Sequence, residues 1–280
     1  MMTFSESLSL ARERIASAEA VLIGAGAGLS TAAGLQYGGE RFLRLFPEYA
    51  KKYGLKDMYS AGFYPFETRE EYWAYWSRHV WVNRYEFTPG SVYATLLGLL
   101  KEKNYFVITT NVDHAFQKAG FQKERLFYTQ GDYGLIQCAQ PCHQKTYDNF
   151  EIVKAMVEQQ HDMRVPTKLI PHCPVCGGEM TMNLRIDERF VQDDGWYKGR
   201  ECYAQFLEET KDTSLVFLEL GVGFNTPGII KYPFWQLCFE RKKNTLISLN
   251  LETTEVPREI RDRTILLEGN IGEGLRALSA

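Results

Sequence analysis

The sequence predicts an α/β fold, a doubly wound parallel sheet that carries a smaller inserted module. Three observations point to it. Short apolar runs alternate with helix-compatible stretches, as in strands joined by crossover helices. The first run, Val21-Leu22-Ile23, breaks into Gly24, Gly26 and Gly28 before a helix-compatible run from Ser30. Two close cysteine pairs, Cys138/Cys142 and Cys173/Cys176, stand in a stretch with few long apolar runs.

Taken in order, residues 4–19 read as an amphipathic helix, with Phe4, Leu8 and Ile15 set against Arg and Glu. Val21–Ile23 forms the first buried strand. Residues 40–90 are rich in aromatics, including Tyr59, Phe63, Tyr64, Phe66, Tyr72, Trp73, Tyr75, Trp76 and Trp81. Spacings such as Tyr72/Trp76 predict packed helices with most rings in the core and some along a substrate groove. Pro89-Gly90 marks a turn, and Ser91 is placed to cap a helix running to about Lys101. Residues 105–110 and 126–129 are further strands. Residues 135–195, with several prolines, read as a module with little core of its own. Strands resume at 215–220, 245–251 and 264–267, and residues 273–278 form a last helix. The expected organisation is a Rossmann-like domain of residues 1–134 and 196–280 with a module at 135–195. The aromatic helical segment 40–90 lies within or beside the large domain.

Composition narrows the partners. With 280 residues, 45% of them hydrophobic, the chain can bury one large domain with a smaller module attached. No window approaches the roughly 18 apolar residues of a membrane span. The start, Met-Met-Thr-Phe-Ser-Glu, lacks a basic region followed by an apolar stretch, so a cytoplasmic location is expected. A net charge of −3 gives no footprint for nucleic acid. Arg241-Lys242-Lys243 reads as a solvated helix end.

The glycine stretch carries the first chemical signal. Glycines at a strand-to-helix turn let backbone N–H groups approach a phosphate, and the following helix dipole adds attraction. A bound nucleotide pyrophosphate is the expectation. The simple dehydrogenase pattern G-x-G-x-x-G nevertheless fails from either start, because Leu29 and Thr31 occupy the third glycine position.

In a parallel sheet, ligands gather at the carboxyl ends of the strands. The loop there after residues 105–110 offers Thr110, Asn111 and Asp113, an amide and a carboxylate able to hold a ribose or carboxamide group. In a purely structural reading they cap the next helix. Gln130-Gly131 follows the next strand, Gly221-Val222-Gly223 the one after it, and Asn250-Leu251-Glu252 the fifth. Asn250 or Glu252 is placed to take adenosine ribose hydroxyls.

These loops, in this order, resemble the sirtuins, NAD-consuming protein deacylases and ADP-ribosyltransferases. The matching pieces are Gly26 to Leu35, Thr110-Asn111-Val112-Asp113, Gln130-Gly131, the two cysteine pairs, the Gly221 loop and Asn250-Leu251-Glu252. The resemblance implies NAD as co-substrate. It sets Ala27, Asn111, Asp113 and Asn250 on NAD, with Asn111 and Asp113 at the nicotinamide end. It adds Gly26, Gly28, Leu35, Tyr37, Thr110, Gln130, Gly221, Gly223, Leu251, Glu252 and Ile271 to the cofactor site, and Arg41 as a phosphate contact. Asn111, Gln130 and Asp113 are the implied catalytic set.

Three departures from the family pattern matter. Deacylating sirtuins have His-Gly where this chain has Gln130-Gly131, and an amide can orient a ribose hydroxyl but not deprotonate it. Gln36-Tyr37-Gly38-Gly39-Glu40-Arg41-Phe42 replaces the usual Pro-Asp-Phe-Arg, and Gly221-Val222-Gly223 lacks the usual Thr-Ser hydroxyls. All three are similar to the class M, macrodomain-linked sirtuins. That resemblance implies a protein mono-ADP-ribosyltransferase whose acceptor is a lipoylated carrier protein related to the glycine-cleavage H protein. A macrodomain hydrolase acting on the product is the implied further partner. Three other readings stand beside it: a deacylase with a replacement base such as His114, an NAD or ADP-ribose sensor without turnover, and an NAD glycohydrolase.

Cys138-x₃-Cys142 and Cys173-x₂-Cys176 suit a tetrahedral structural zinc with four thiolates. His143 and His172 adjoin as alternative ligands. The glycines after Cys176 are expected to aim N–H groups at sulfur, and Cys202 and Cys238 to be buried apolar residues.

Overall fold

A computed structural model of the chain describes residues 3–252 and 255–280. Its strands, in chain order, are β1 (Ala20–Ala25), β2 (Asn104–Thr109), β3 (Leu126–Tyr128), β4 (Gly131–Cys138), β5 (Tyr147–Asp148), β6 (Met180–Leu184), β7 (Leu215–Leu220), β8 (Thr245–Asn250) and β9 (Thr264–Glu268). The chain divides into two compact units. One comprises Met1–Ala33, Pro89–Gln130 and Asp194–Ala280, the other Gly34–Thr88 and Gly131–Asp193.

The first unit is built on a six-stranded sheet in the order β3-β2-β1-β7-β8-β9, with every pairing parallel. β1 and β7 are buried along their whole length, which is why their sequences are near-continuous apolar runs rather than alternating ones. Val21 pairs with Tyr105 on one side and Val216 on the other. The chain lays β2 and β3 on one side of β1 and β7 to β9 on the other, so strand order reverses between β1 and β7. That reversal opens the crevice in which such sheets bind ligands. Leu22, Phe106, Phe217 and Phe234 lie in one core beneath it.

The helices refine the expected boundaries. The first, Phe4–Ser17, starts at Thr3, whose hydroxyl accepts from the Glu6 N–H in a capping box. After the glycine turn the helix begins at Ala27, not Ser30, and ends at Ala32, with extended Gly26 before it. Ser30 is instead buried within that helix. Ser91 caps nothing: the helix Gly90–Leu100 is entered straight from Pro89. Two helices without a clear sequence signal, Asp194–Glu209 and Lys231–Glu240, complete the crossovers.

The second unit joins the aromatic segment and the cysteine-bearing stretch. Helices Gly39–Leu45, Pro47–Tyr53, Met58–Gly62, Arg69–Val80 and Phe150–Gln159 accompany an antiparallel sheet in the order β5-β4-β6. β4, Gly-Asp-Tyr-Gly-Leu-Ile-Gln-Cys, lacks the apolar alternation that would have announced it. Trp73, Tyr75 and Trp76 are buried, as their helical spacing predicts, while Tyr59 and Phe63 are exposed and pack edge to face on each other. Among the described residues no helix is long and apolar enough to cross a membrane.

Candidate active site

Every loop singled out in the first unit follows the carboxyl end of a strand in the parallel sheet, so Gly26–Gly28, Thr110–Asp113, Gln130, Gly221–Gly223 and Asn250–Glu252 share one end of it. Ile271 opens the helix after β9 and is buried.

The glycines do more than clear space for a ligand. A Cβ on Gly26 would lie 2.6 Å from the Gly221 carbonyl oxygen, and one on Gly28 would lie 2.7 Å from Gly221 Cα. The Gly28 N–H donates to the Gly221 carbonyl at 3.0 Å. Gly221 itself has φ +61, in the left-handed region that favours glycine. Two loops on either side of the strand-order reversal are thus pressed backbone to backbone. Gly24, expected with the phosphate-facing glycines, serves packing instead, since a Cβ there would collide with Ile230 and Phe234. Ala27 is exposed at the start of its helix and Gly28 half-buried.

Behind this turn lies a hydrogen-bonded hub. Asn111 Nδ2 donates to the Gly26 carbonyl at 2.9 Å and to Ser30 Oγ at 3.0 Å. Ser30 Oγ donates to Asp113 Oδ2 and lies 3.0 Å from the Tyr93 hydroxyl. With both amide hydrogens engaged, Asn111 keeps its Oδ1 as the group it can offer, an acceptor for a hydroxyl or a water. Asp113 Oδ1 accepts from the Ala115 N–H at 2.9 Å, so this carboxylate also caps the following short helix. Thr109 seats the loop: its hydroxyl donates to the Ala25 carbonyl and accepts from the Asn111 N–H. His114, the candidate replacement base, has φ +64 at the start of the short helix Ala115–Lys118.

Gln130 is half-buried and makes no side-chain hydrogen bond among the described residues. Its neighbour Gly131 has φ +96, and a Cβ there would lie 2.0 Å from the Asn183 carbonyl oxygen, so no larger residue fits. Within the second unit, Asp132 Oδ1 accepts from Arg84 Nε at 2.8 Å and from the Gly134 N–H at 2.7 Å.

At the end of β8, Asn250 is half-buried, while Leu251 and Glu252 are exposed. Asn250 Nδ2 donates to Ser248 Oγ at 3.1 Å and to Glu219 Oε1 at 3.4 Å. Glu219 and Lys231, each 1% exposed, form a buried ion pair at 2.7 Å. Gly223 is exposed in the loop between them.

Leu35, Tyr37 and Arg41 belong to the second unit. Leu35 is buried. The Tyr37 hydroxyl lies 2.9 Å from that of Tyr133. The Arg41 guanidinium donates to the Gln36 and Val82 carbonyls, and desolvation holds its pKa below the ordinary value. Nearby, His79 is fully buried. Desolvation, with the charge of Arg41 as the lesser cause, pushes its pKa down to about 3, so the ring is neutral.

The four cysteine sulfurs all lie within 4.8 Å of one another. Cys138 and Cys176 approach to 3.7 Å and Cys142 and Cys173 to 3.6 Å. Four Zn–S bonds of about 2.3 Å in a tetrahedron require sulfurs about 3.8 Å apart, so the donor set fits a structural zinc. The N–H groups of Cys176 and Val175, rather than those of the glycines, are the main groups that hold the Cys173 thiol down, to about 6. His143 Nδ1 lies 3.0 Å from Cys142 Sγ, beside the cluster rather than in place of a sulfur. Cys238 is buried as expected, but Cys202 is half-exposed.

Comparison with known proteins agrees with this architecture. The Sir2 family profile matches residues 26–207. The chain belongs to the Sir2 family. A curated relative, "Protein ADP-ribosyltransferase" of Staphylococcus aureus (strain Mu50 / ATCC 700699), is 37% identical over 261 residues, 93% of this chain and 83% of that protein. A second, "Probable bifunctional ADP-ribose hydrolase/ADP-ribosyltransferase" of Fusarium oxysporum f. sp. cubense, is 35% identical over 97% of this chain, which spans 47% of its length. Among solved structures, a Sir2 homolog–NAD complex has a TM-score of 0.55 at 14% identity, covering 96% of this chain and 93% of that one. Similarity at that level speaks to the fold.

Two parts of this Sir2 site were not singled out from the sequence. Ser30 reads as an ordinary helix residue, and nothing local betrays that its hydroxyl links Asn111 to Asp113. Glu219 did leave a signal: it is the one acid in Leu-Val-Phe-Leu-Glu-Leu, and a carboxylate in a fully buried strand requires a partner.

Proposed function

We propose that this Sir2-family chain is an NAD-dependent protein mono-ADP-ribosyltransferase of the class M, macrodomain-linked kind. Gln130 carries the reading. It stands where deacylating sirtuins have their histidine base, beside a glycine position that admits no other residue, and its side chain makes no hydrogen bond among the described residues. A neutral amide can orient a hydroxyl, yet it has no proton equilibrium near neutral pH. The names of the two curated relatives support the same assignment.

In this reading the pyrophosphate lies against Gly26–Gly28 and Gly221, and Asn250, Leu251 and Glu252 take the adenosine ribose. Asn111 Oδ1 accepts from the nicotinamide ribose or a water, Asp113 faces the carboxamide, and Thr110 and Ile271 line the nucleotide. Leu35, Tyr37 and Arg41, which the family resemblance assigns to the lid segment, lie in the second unit. The bond from the anomeric carbon to nicotinamide breaks with its electron pair leaving on nicotinamide. The acceptor nucleophile then bonds to that carbon, and its proton is released to bulk solvent. Positioning and exclusion of water lower this barrier without a base on the ribose. The acceptor we propose is a lipoylated carrier protein related to the glycine-cleavage H protein, with a macrodomain hydrolase reversing the modification. Bound by Cys138, Cys142, Cys173 and Cys176, zinc supplies cross-linking of the second unit, not chemistry.

The test is product analysis after incubation with NAD and either an acylated peptide or a lipoylated carrier. ADP-ribosyl protein with free nicotinamide is expected. O-acyl-ADP-ribose from the acylated peptide would overturn the reading in favour of a deacylase, and free ADP-ribose alone in favour of a hydrolase.

A further inference from the structure

We propose that the buried Glu219–Lys231 pair is a positioning device for Asn250, holding its amide nitrogen inward so that its carbonyl oxygen is the atom presented to the adenosine ribose. The inference rests on the nucleotide reading given above. Glu219 Oε1 accepts from Lys231 Nζ at 2.7 Å, from Ser248 Oγ at 2.8 Å and from Asn250 Nδ2 at 3.4 Å. Asn250 Nδ2 also donates to Ser248 Oγ at 3.1 Å. With the amide nitrogen held against these two oxygens, Oδ1 is the acceptor turned the other way, and a ribose hydroxyl donates to it.

Stability alone does not account for this pair. Burying two opposite charges costs desolvation that their attraction roughly offsets, and a well-packed apolar pair usually does as well or better. Glu219 Oε2 is in addition buried without a hydrogen-bond partner among the described residues, a further cost of the pair. What the pair does achieve is register. Glu219 lies in β7, just before Gly221, and Lys231 opens the helix after the loop, so the contact closes residues 221–230 at their base. The faces of Phe224 and Trp235, 5.1 and 5.7 Å from Lys231 Nζ, hold the ammonium from the other side. The same contact therefore sets the loop that packs on Gly26 and Gly28 and the amide proposed to take the ribose.

The experiment compares wild type with Glu219→Leu/Lys231→Met, which replaces the pair by apolar side chains, and Glu219→Gln/Lys231→Met, which restores the acceptor without charge. ADP-ribose affinity is measured by calorimetry, nicotinamide release by steady-state kinetics and folding by Tm. The Leu/Met variant is expected to keep its Tm, to bind ADP-ribose about tenfold more weakly and to raise the KM for NAD by a similar factor, with kcat within about twofold of wild type. The Gln/Met variant is expected to recover to within about twofold of wild type. If the Leu/Met variant does not fold, Ser248→Ala stands in for it, with about a fivefold loss expected. A folded Leu/Met or Ser248→Ala variant with wild-type affinity, or a Gln/Met variant as weak as Leu/Met, overturns the proposal. Wild type that binds no ADP-ribose overturns the nucleotide reading and this inference with it.

Discussion

Asn111 Nδ2 donates to Ser30 Oγ at 3.0 Å across 81 residues of sequence, and the same hydroxyl donates to Asp113 Oδ2. One buried serine thus fixes which way the Asn111 amide points and where one oxygen of Asp113 lies. Ser30→Ala should fold with a loss of about 1–3 kcal/mol, because it leaves buried polar atoms unpaired. Nicotinamide release should drop at least tenfold, through kcat more than KM. Steady-state kinetics beside a denaturant titration checks this, and a kcat within twofold of wild type would remove Ser30 from the account.

Gln130 has no proton to exchange near neutral pH, so the transferase rate should show no ascending limb centred near 6.5. Gln130→Ala should lower the rate by about 10²–10³, the range seen when an oriented hydrogen-bonding group is removed beside a reacting centre. Gln130→His should add an inflection to the pH–rate profile. An inflection in wild type that survives in Gln130→Ala would point to another base, with His114 the first to examine.

How much of this was legible in the sequence depended on whether a residue's neighbours are local. β1, β7 and β8 announce themselves because strands buried on both faces must be apolar throughout. Asn111, Asp113, Gln130 and Asn250 could be located because each lies at or shortly after the carboxyl end of a strand. Ser30 and Lys231 could not, since their partners lie 81 and 12 positions away and only the assembled sheet brings them together. Gly24 and Gly28 look alike in sequence, yet one packs under Phe234 and the other against Gly221. β4 carries no apolar pattern because its buried residues include glycine, aspartate and glutamine, the aspartate paired with Arg84 and the glutamine with Asn183.

His79 makes stability depend on pH. Buried and neutral, it has a pKa of about 3, against an ordinary 6.5 in the unfolded chain. Below pH 6.5 the unfolded state binds more protons than the folded one, so stability is full above that pH and falls as pH drops from about 6.5 toward about 3. Thermal melts of wild type and His79→Phe across pH 4–7 should show a steeper acid loss in wild type. Parallel slopes would mean that His79 does not contribute.

Gly131→Ala should cost more than about 2 kcal/mol, because a positive φ combines with a steric clash against the Asn183 backbone. A lowered Tm is the readout, and an unchanged Tm would show that the Gly131 turn tolerates a side chain.

Chelation, or Cys173→Ser, should release one equivalent of zinc and melt the second unit. Metal analysis with near-ultraviolet circular dichroism follows both events. Retention of the tertiary signal after complete metal loss would contradict a structural role for the four cysteines.

The most direct measurement incubates the protein with NAD labelled in its adenosine half, together with lipoylated and unlipoylated H-like carrier. Label on the lipoylated carrier alone, abolished by Asn111→Ala, is the result expected of the transferase. NAD consumed with no label on either carrier would contradict it.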